Sequence, residues 1–287
     1  MTLHNRGTWI TVALVCVVGL ASGAVLTNHG LKPKSKPRSV PLTRAEQARQ
    51  VLFAELQPVK LANCELERFG ERNDGGYLLC ANLLGEVKSA YSYGISGYDQ
   101  WGCDVSTRLD VRVHEYDCFD HTRPRCSTGN AVFHDECIGD SRRMEGQRPF
   151  DTLENQVVKN GDAGKRLVVK MDVEGAEWES FLGASDDVLR RIDQVAIEFH
   201  GFDEERFILA IWKLKQFFYV VNLHWNNFSC GGQPPFPSWA YEALLVNKRI
   251  AVLDPAAKVA ATPLNRPNNP ALSDCQAATG TVPQSSR

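Results

Sequence analysis

Three motifs are missing from this 287-residue sequence, and each absence removes a class of function. No Cys-x-x-Cys pair occurs among the nine cysteines, which argues against a zinc ribbon. No GxxxxGK[ST] loop occurs, which argues against an NTPase. No GxGxxG fingerprint occurs, which weakens the case for a nicotinamide-dependent oxidoreductase. Positive charge is not in excess either. A formal net charge of −2 leaves no electrostatic footprint for nucleic acid as a partner.

What is present divides the chain into four parts. Residues 8–27 are uncharged and largely apolar, about the length of a membrane-spanning helix. The run exceeds a typical signal-peptide core, so residues 1–30 read as a signal anchor rather than a cleaved leader. Residues 31–60 hold a Pro- and Lys-rich linker and then a helix that Thr43 and Glu46 can cap. Residues 61–253 carry alternating strand-like and helix-like patterns, enough for one α/β domain. Residues 254–287 are Pro-, Ala- and Ser-rich and read as a disordered tail. Two signals compete over membrane orientation. Lys32, Lys34, Lys36 and Arg38 after the span favour a cytosolic domain. Eight cysteines after the span, an even number, favour disulfides in an oxidising compartment. The balance falls on the extracytoplasmic side. Nothing in the sequence indicates an oligomeric state.

The most informative stretch is Leu167-Val168-Val169-Lys170-Met171-Asp172-Val173-Glu174-Gly175-Ala176-Glu177. An apolar strand ends in acids, then a glycine, then a helix start. In open α/β sheets that strand end is where ligands bind. Glu177 also suits a helix N-terminus electrostatically. Upstream, Ala90-Tyr91-Ser92-Tyr93 reads as a strand running into the turn Gly94-Ile95-Ser96-Gly97. Glycines there let backbone N–H groups approach a ligand. Val111 opens a second strand that ends in Asp117, about twenty residues on, where an acid can accept a ribose hydroxyl. A third strand leaves through Asp135-Glu136-Cys137-Ile138. Strands at 192–200, 218–224 and 241–247 complete a set of seven. Glu198 and His200 end the fifth on one face. Residues 150–160 read as a helix. Asn73-Asp74-Gly75-Gly76-Tyr77 reads either as a hairpin turn or as a loop over the ligand crevice.

Together these stretches resemble the class I S-adenosylmethionine-dependent methyltransferases, and more narrowly the FkbM-type and related methyltransferase-like proteins. The matching residues are Arg68-Phe69-Gly70 with Asp74-Gly75-Gly76-Tyr77, Tyr91-Ser92-Tyr93-Gly94-Ile95, Val113-His114-Glu115-Tyr116-Asp117, the Lys170–Glu177 stretch, and Glu198-Phe199-His200. The resemblance implies a Rossmann-like, seven-stranded, mostly parallel sheet with helices on both faces, here preceded by a transmembrane helix. It implies S-adenosylmethionine as cofactor. Gly94, Ile95, Ser96 and Gly97 would hold its methionine part and Asp117 its ribose. The loop from Asp135 would flank the adenine, and Asp172 would lie beside the methyl donor. Relatives of this type commonly methylate hydroxyls, often on sugars, so a small-molecule or glycan acceptor is expected.

A hydroxyl needs its proton removed as it attacks. His200, Asp172 and Glu174 are the available bases. A second possibility is that Asp172, Glu198 and His200 bind a divalent cation; the expectation adopted is no metal. A different class also stays open: a catalytically silent, membrane-tethered binding module.

Overall fold

The computed structural model describes residues 41–275. The expected anchor lies outside them. Among the described residues no helix is long and apolar enough to cross a membrane.

In chain order, helix α1 (Arg44–Glu55) leads to an antiparallel hairpin, β1 (Leu66–Gly70) and β2 (Gly76–Cys80). The α/β series starts with β3 (Ser89–Tyr93), α2 (Gln100–Leu109), β4 (Arg112–Asp117) and β5 (Asn130–Asp135). Three short strands follow, β6 (Cys137–Ile138), β7 (Arg143–Glu145) and β8 (Arg148–Asp151), forming a sheet of their own. Then come α3 (Leu153–Lys159), β9 (Leu167–Met171), α4 (Glu177–Gly183), α5 (Asp186–Arg191), β10 (Ile192–His200), α6 (Glu205–Phe217), β11 (Phe218–Trp225) and β12 (Ala240–Asn247). As expected, Thr43 and Glu46 form a reciprocal capping box at the start of α1.

Seven strands form one sheet in the order β11-β12-β10-β9-β3-β4-β5. The four neighbouring pairs from β10 to β5 are parallel, while β12 runs antiparallel between β10 and β11. The chain order reverses beside β3, between its neighbours β4 and β9. Such a switch point opens a crevice at the carboxyl ends of the strands. This mixed α/β architecture, a mostly parallel seven-stranded sheet with helices on both faces, is Rossmann-like.

Period-2 alternation builds a core on each side of the sheet. Leu167, Val169 and Met171 of β9 face one core with α1 and α3 to α6. Val168 faces the other, with α2 and the hairpin. Trp178 is wholly buried, stacked on Phe199 and Phe207 with ring centroids 4.3 Å away in each case. That stack locks the start of α4 against β10, which places Glu177 beside His200.

All eight cysteines among the described residues are paired: Cys64–Cys80, Cys103–Cys126, Cys118–Cys137 and Cys230–Cys275. The bridges close sequence separations of 16 to 45 residues. Loops of that size constrain the unfolded chain by about 3–4 kcal/mol each.

Two expectations differ from the structure. The helix expected over 150–160 starts only at Leu153, because Arg148–Asp151 pairs as a strand with both β6 and β7. The segment from Asp254 to Cys275, expected as disordered tail, lies against the domain. Asn268 is 2% exposed and donates hydrogen bonds to Asp74 and Glu242. Asn227 donates to the carbonyl of Asn269, and Cys275 is bridged to Cys230. Side-chain amides and a disulfide hold this segment, so hydrophobic patterning does not reveal it.

Candidate functional site

The turn after β3 is fixed by contacts that only glycine permits. A Cβ on Gly94 would lie 1.6 Å from the carbonyl oxygen of Asp172. Gly94 has φ +71°, and its N–H donates to the carbonyl of Tyr116 at 3.0 Å. The turn therefore touches the end of β9 on one side and the end of β4 on the other.

Asp117 holds this turn closed. Its Oδ2 accepts the N–H groups of Ile95 (3.1 Å) and Ser96 (2.8 Å). Its Oδ1 accepts those of Phe119 (2.8 Å) and Asp120 (3.0 Å). Four backbone donors fill the acceptor sites of a carboxylate. A ribose hydroxyl would have to share with, or displace, one of them.

A cavity of about 390 Å³ opens over the ends of β3, β4 and β9. That is the size of a small-molecule site. Gly94, Ser96, Asp117, Asp172 and Glu174 line it. Ile95 and Gly97 do not. Ile95 is buried behind the turn, and Gly97 packs against Asp120 and Thr122. Asp135 is also outside: it is exposed and pairs with His121 at 2.9 Å. The next residues, Glu136, Cys137 and Ile138, supply the wall instead. The Cys118–Cys137 bridge crosses this wall, tying the end of β4 to β6.

A second cavity, of about 240 Å³, lies beside the first and is lined with acid: Asp74, Asp172, Glu174 and Glu198, together with His200 and Asn226. Asp172 and Glu174 border both cavities. The Asp172 side chain is 26% exposed and accepts from the Tyr77 hydroxyl at 3.0 Å. Lys170 stands 3.8 Å from it. The buried Lys170 ammonium donates to the carbonyls of Tyr93 (3.1 Å) and Gly94 (2.7 Å). Both Asp74 and Tyr77 come from the hairpin, so that motif is a hairpin and also a cover for the crevice.

Glu174 and Gly175 make the corner between β9 and α4, with φ of +55° and +110°. The corner is tied down by Glu177, whose Oε1 accepts the N–H groups of Val173 (2.9 Å) and Gly175 (3.1 Å). The same oxygen accepts Nδ1–H of His200 at 3.0 Å. When the ring is neutral this contact sets the tautomer and leaves the lone pair on Nε2. Nε2 faces Glu174 at 3.5 Å and Asp172 at 3.9 Å. Burial alone would lower the His200 pKa. The Glu177 hydrogen bond and the charges of Glu177, Asp172 and Glu174 outweigh it and raise the value above that of free histidine.

Behind His200, burial pushes the Glu198 carboxyl well above the usual carboxylate range, and Asp172 and Glu242 push it further. Glu242 is pushed up to about 8, again by burial first. Asn226 donates to Glu198 at 2.6 Å and Asn268 to Glu242 at 2.7 Å.

The structure thus gathers Gly94, Ser96, Asp117, Asp172, Glu174 and His200 at one sheet edge and leaves Asp135 out. Sequence reasoning missed Tyr77 as the partner of Asp172, Lys170, Glu177 as the orienting group of His200, and the amides of Asn226 and Asn268. A lysine inside an apolar strand was a usable signal. The amides gave none.

No protein-family model and no curated protein matches this chain. Among solved structures it is similar to a crystal structure of "Methyltransferase FkbM from Methylobacillus flagellatus KT", with 13% sequence identity and a TM-score of 0.38. The match covers 56% of this chain and 44% of that one, less than half its length.

Proposed function

We propose that this chain is an S-adenosylmethionine-dependent methyltransferase acting on a hydroxyl of a small-molecule or glycan acceptor. One observation carries the reading: two adjoining cavities meet at Asp172 and Glu174, one walled by the glycine turn and one facing the oriented base His200. The larger cavity takes the cofactor and the smaller one the acceptor. Negative side chains at the junction favour the cationic sulfonium.

S-adenosylmethionine would supply the methyl group: the acceptor oxygen would form a bond to the methyl carbon as the carbon–sulfur bond breaks, its electron pair going to sulfur. The hydroxyl proton passes to Nε2 of His200. Glu177 stabilises the imidazolium that results. Holding both reactants at the junction supplies much of the rate, since effective molarities for well-oriented groups reach about 10⁵–10⁸ M. Trp239 and Phe228 line the second cavity or its edge and are 46% and 59% exposed, giving apolar faces against which an acceptor ring can lie.

The membrane reading belongs to this proposal too. Residues 8–27 anchor the chain, and the four disulfides suit an extracytoplasmic domain.

The test is calorimetric titration of the full-length protein with S-adenosylmethionine and, separately, with NAD. Saturable binding of the first alone, lost in Gly94→Ala, is the expected result. A folded protein that binds neither ligand would make this a silent binding module instead.

A further inference from the structure

The acid-lined cavity is short of positive charge. Asp172, Glu174 and Glu198 converge on His200, and the nearest ammonium, Lys170, is held by two backbone carbonyls. The His200 side chain is only 3% exposed, and its Nε2 makes no hydrogen bond. That atom points at three carboxylates between 3.5 and 3.9 Å away. Asp172, Glu174 and His200 each present one donor atom, and all three atoms lie within 4.8 Å of one another.

The geometry points to a divalent-cation site made by Asp172, Glu174 and His200. Three features beyond the acidity support it. First, His200 has its second nitrogen fixed by a buried carboxylate, the arrangement that orients an imidazole toward a metal. Second, the His200 side chain, 3% exposed, is almost wholly buried, and its Nε2, aimed into the cluster, carries no hydrogen bond. Third, the Glu174 side chain is 83% exposed and free to swing inward. Bonds of about 2.0–2.2 Å require neighbouring donors about 3 Å apart. The observed 3.5 Å and 3.9 Å from Nε2, within a triad spanning up to 4.8 Å, would close to that spacing as the exposed Glu174 carboxylate moves inward. One imidazole and two carboxylates with open positions suit Mn²⁺ or a similar first-row ion better than Ca²⁺.

The consequence, though not the site itself, rests on the methyl-transfer reading. An acceptor hydroxyl bound to the ion would sit at the junction of the two cavities. The ion would lower the hydroxyl's pKa. In the metal-loaded protein its proton would leave to solvent through the open cavity and Nε2 would serve as ligand; the transfer to Nε2 described above is the route of the metal-free protein.

The experiment uses full-length protein with its disulfides intact and without S-adenosylmethionine. Mn²⁺ is titrated in, and loss of the free-ion electron paramagnetic resonance signal is followed. One saturable site is expected. Glu174→Gln, an exposed change, should weaken binding about tenfold. Asp172→Asn should weaken it further, and Glu177→Gln should weaken it by about 10–100-fold through the second shell. Glu204→Gln, outside the cluster, should leave it unchanged. The inference is overturned if Mn²⁺ does not bind saturably, or if Glu174→Gln and Asp172→Asn both bind it like the parent protein. S-adenosylmethionine binding without Mn²⁺ binding would sink this site and spare the proposed function. The reverse pattern would do the opposite.

Discussion

Asp117 and Asp172 look alike in sequence. Each closes a parallel strand at the same edge of one sheet, and each borders the same cavity. Their surroundings differ. Asp117 accepts four backbone N–H groups and is 8% exposed. Asp172 accepts one tyrosine hydroxyl and faces open space on both sides. The first carboxylate is used up in holding the chain; the second is available to a ligand. Strand position tells which acids reach the crevice, and only the count of donors around each tells what it can still do.

Removing each charge should break this pair apart. The largest effect expected is on turnover. Asp172→Asn should lower methyl transfer from labelled S-adenosylmethionine by about 10²–10³-fold, the usual scale for losing one electrostatic group at a reacting centre. Its melting temperature should stay close to that of the parent. Asp117→Asn should do the opposite. An amide in its place leaves backbone donors unpaired, at about 1–3 kcal/mol each, so denaturant stability should fall by about 2–4 kcal/mol. Equal effects of the two variants on both readouts would erase the distinction.

A smaller effect sharpens the comparison through pH. On the proposed reading His200 would act as a base only when neutral, and its pKa is raised, so the rate should climb as pH rises through a value above that of free histidine. Glu177→Gln should move that climb to lower pH. The same shift affects stability. The protonated His200 pairing stabilises the fold below the unfolded value near 6.5 and is lost as pH rises through the folded one. A pH–rate profile that Glu177→Gln does not move would remove His200 from the base role.

The smallest effect concerns Glu115, two residues before Asp117 on the same strand. It is buried without a donor for its Oε1, and burial together with Asp99 pushes its pKa up to about 8. Between the unfolded value of 4.5 and that value the fold retains a proton that the unfolded chain releases. Stability should therefore decline as pH rises through this window. Glu115→Gln should flatten that decline in denaturant titrations run from about pH 5 to about pH 7.5.

Much of this arrangement was legible. The seven strands announced themselves because buried parallel strands are short apolar runs, and β9 showed its acids at the end. Their residues carry the information locally. Asp135 stands in register with Asp117, but on the edge strand β5, one strand further from the glycine turn, where it turns to solvent and His121; strand order is not written in the local sequence. The pairing of Tyr77 with Asp172 and the roles of Asn226 and Asn268 could not be found. Each matters through a partner at least 26 residues away, and no local pattern encodes such a pairing. The same reason hid the order of residues 254–275, whose hold on the domain is made of amides and one cystine.

That last segment has a genetic consequence. Asn268 caps Glu242 and Asp74, and Cys275 closes a ring with Cys230. The ribosome makes these residues after every strand of the sheet is complete. A premature stop codon at 254 would spare the whole sheet and still strip two acids of their amide and leave Cys230 a lone thiol. Late nonsense alleles, which domain boundaries drawn by eye would score as harmless, should behave as loss of function.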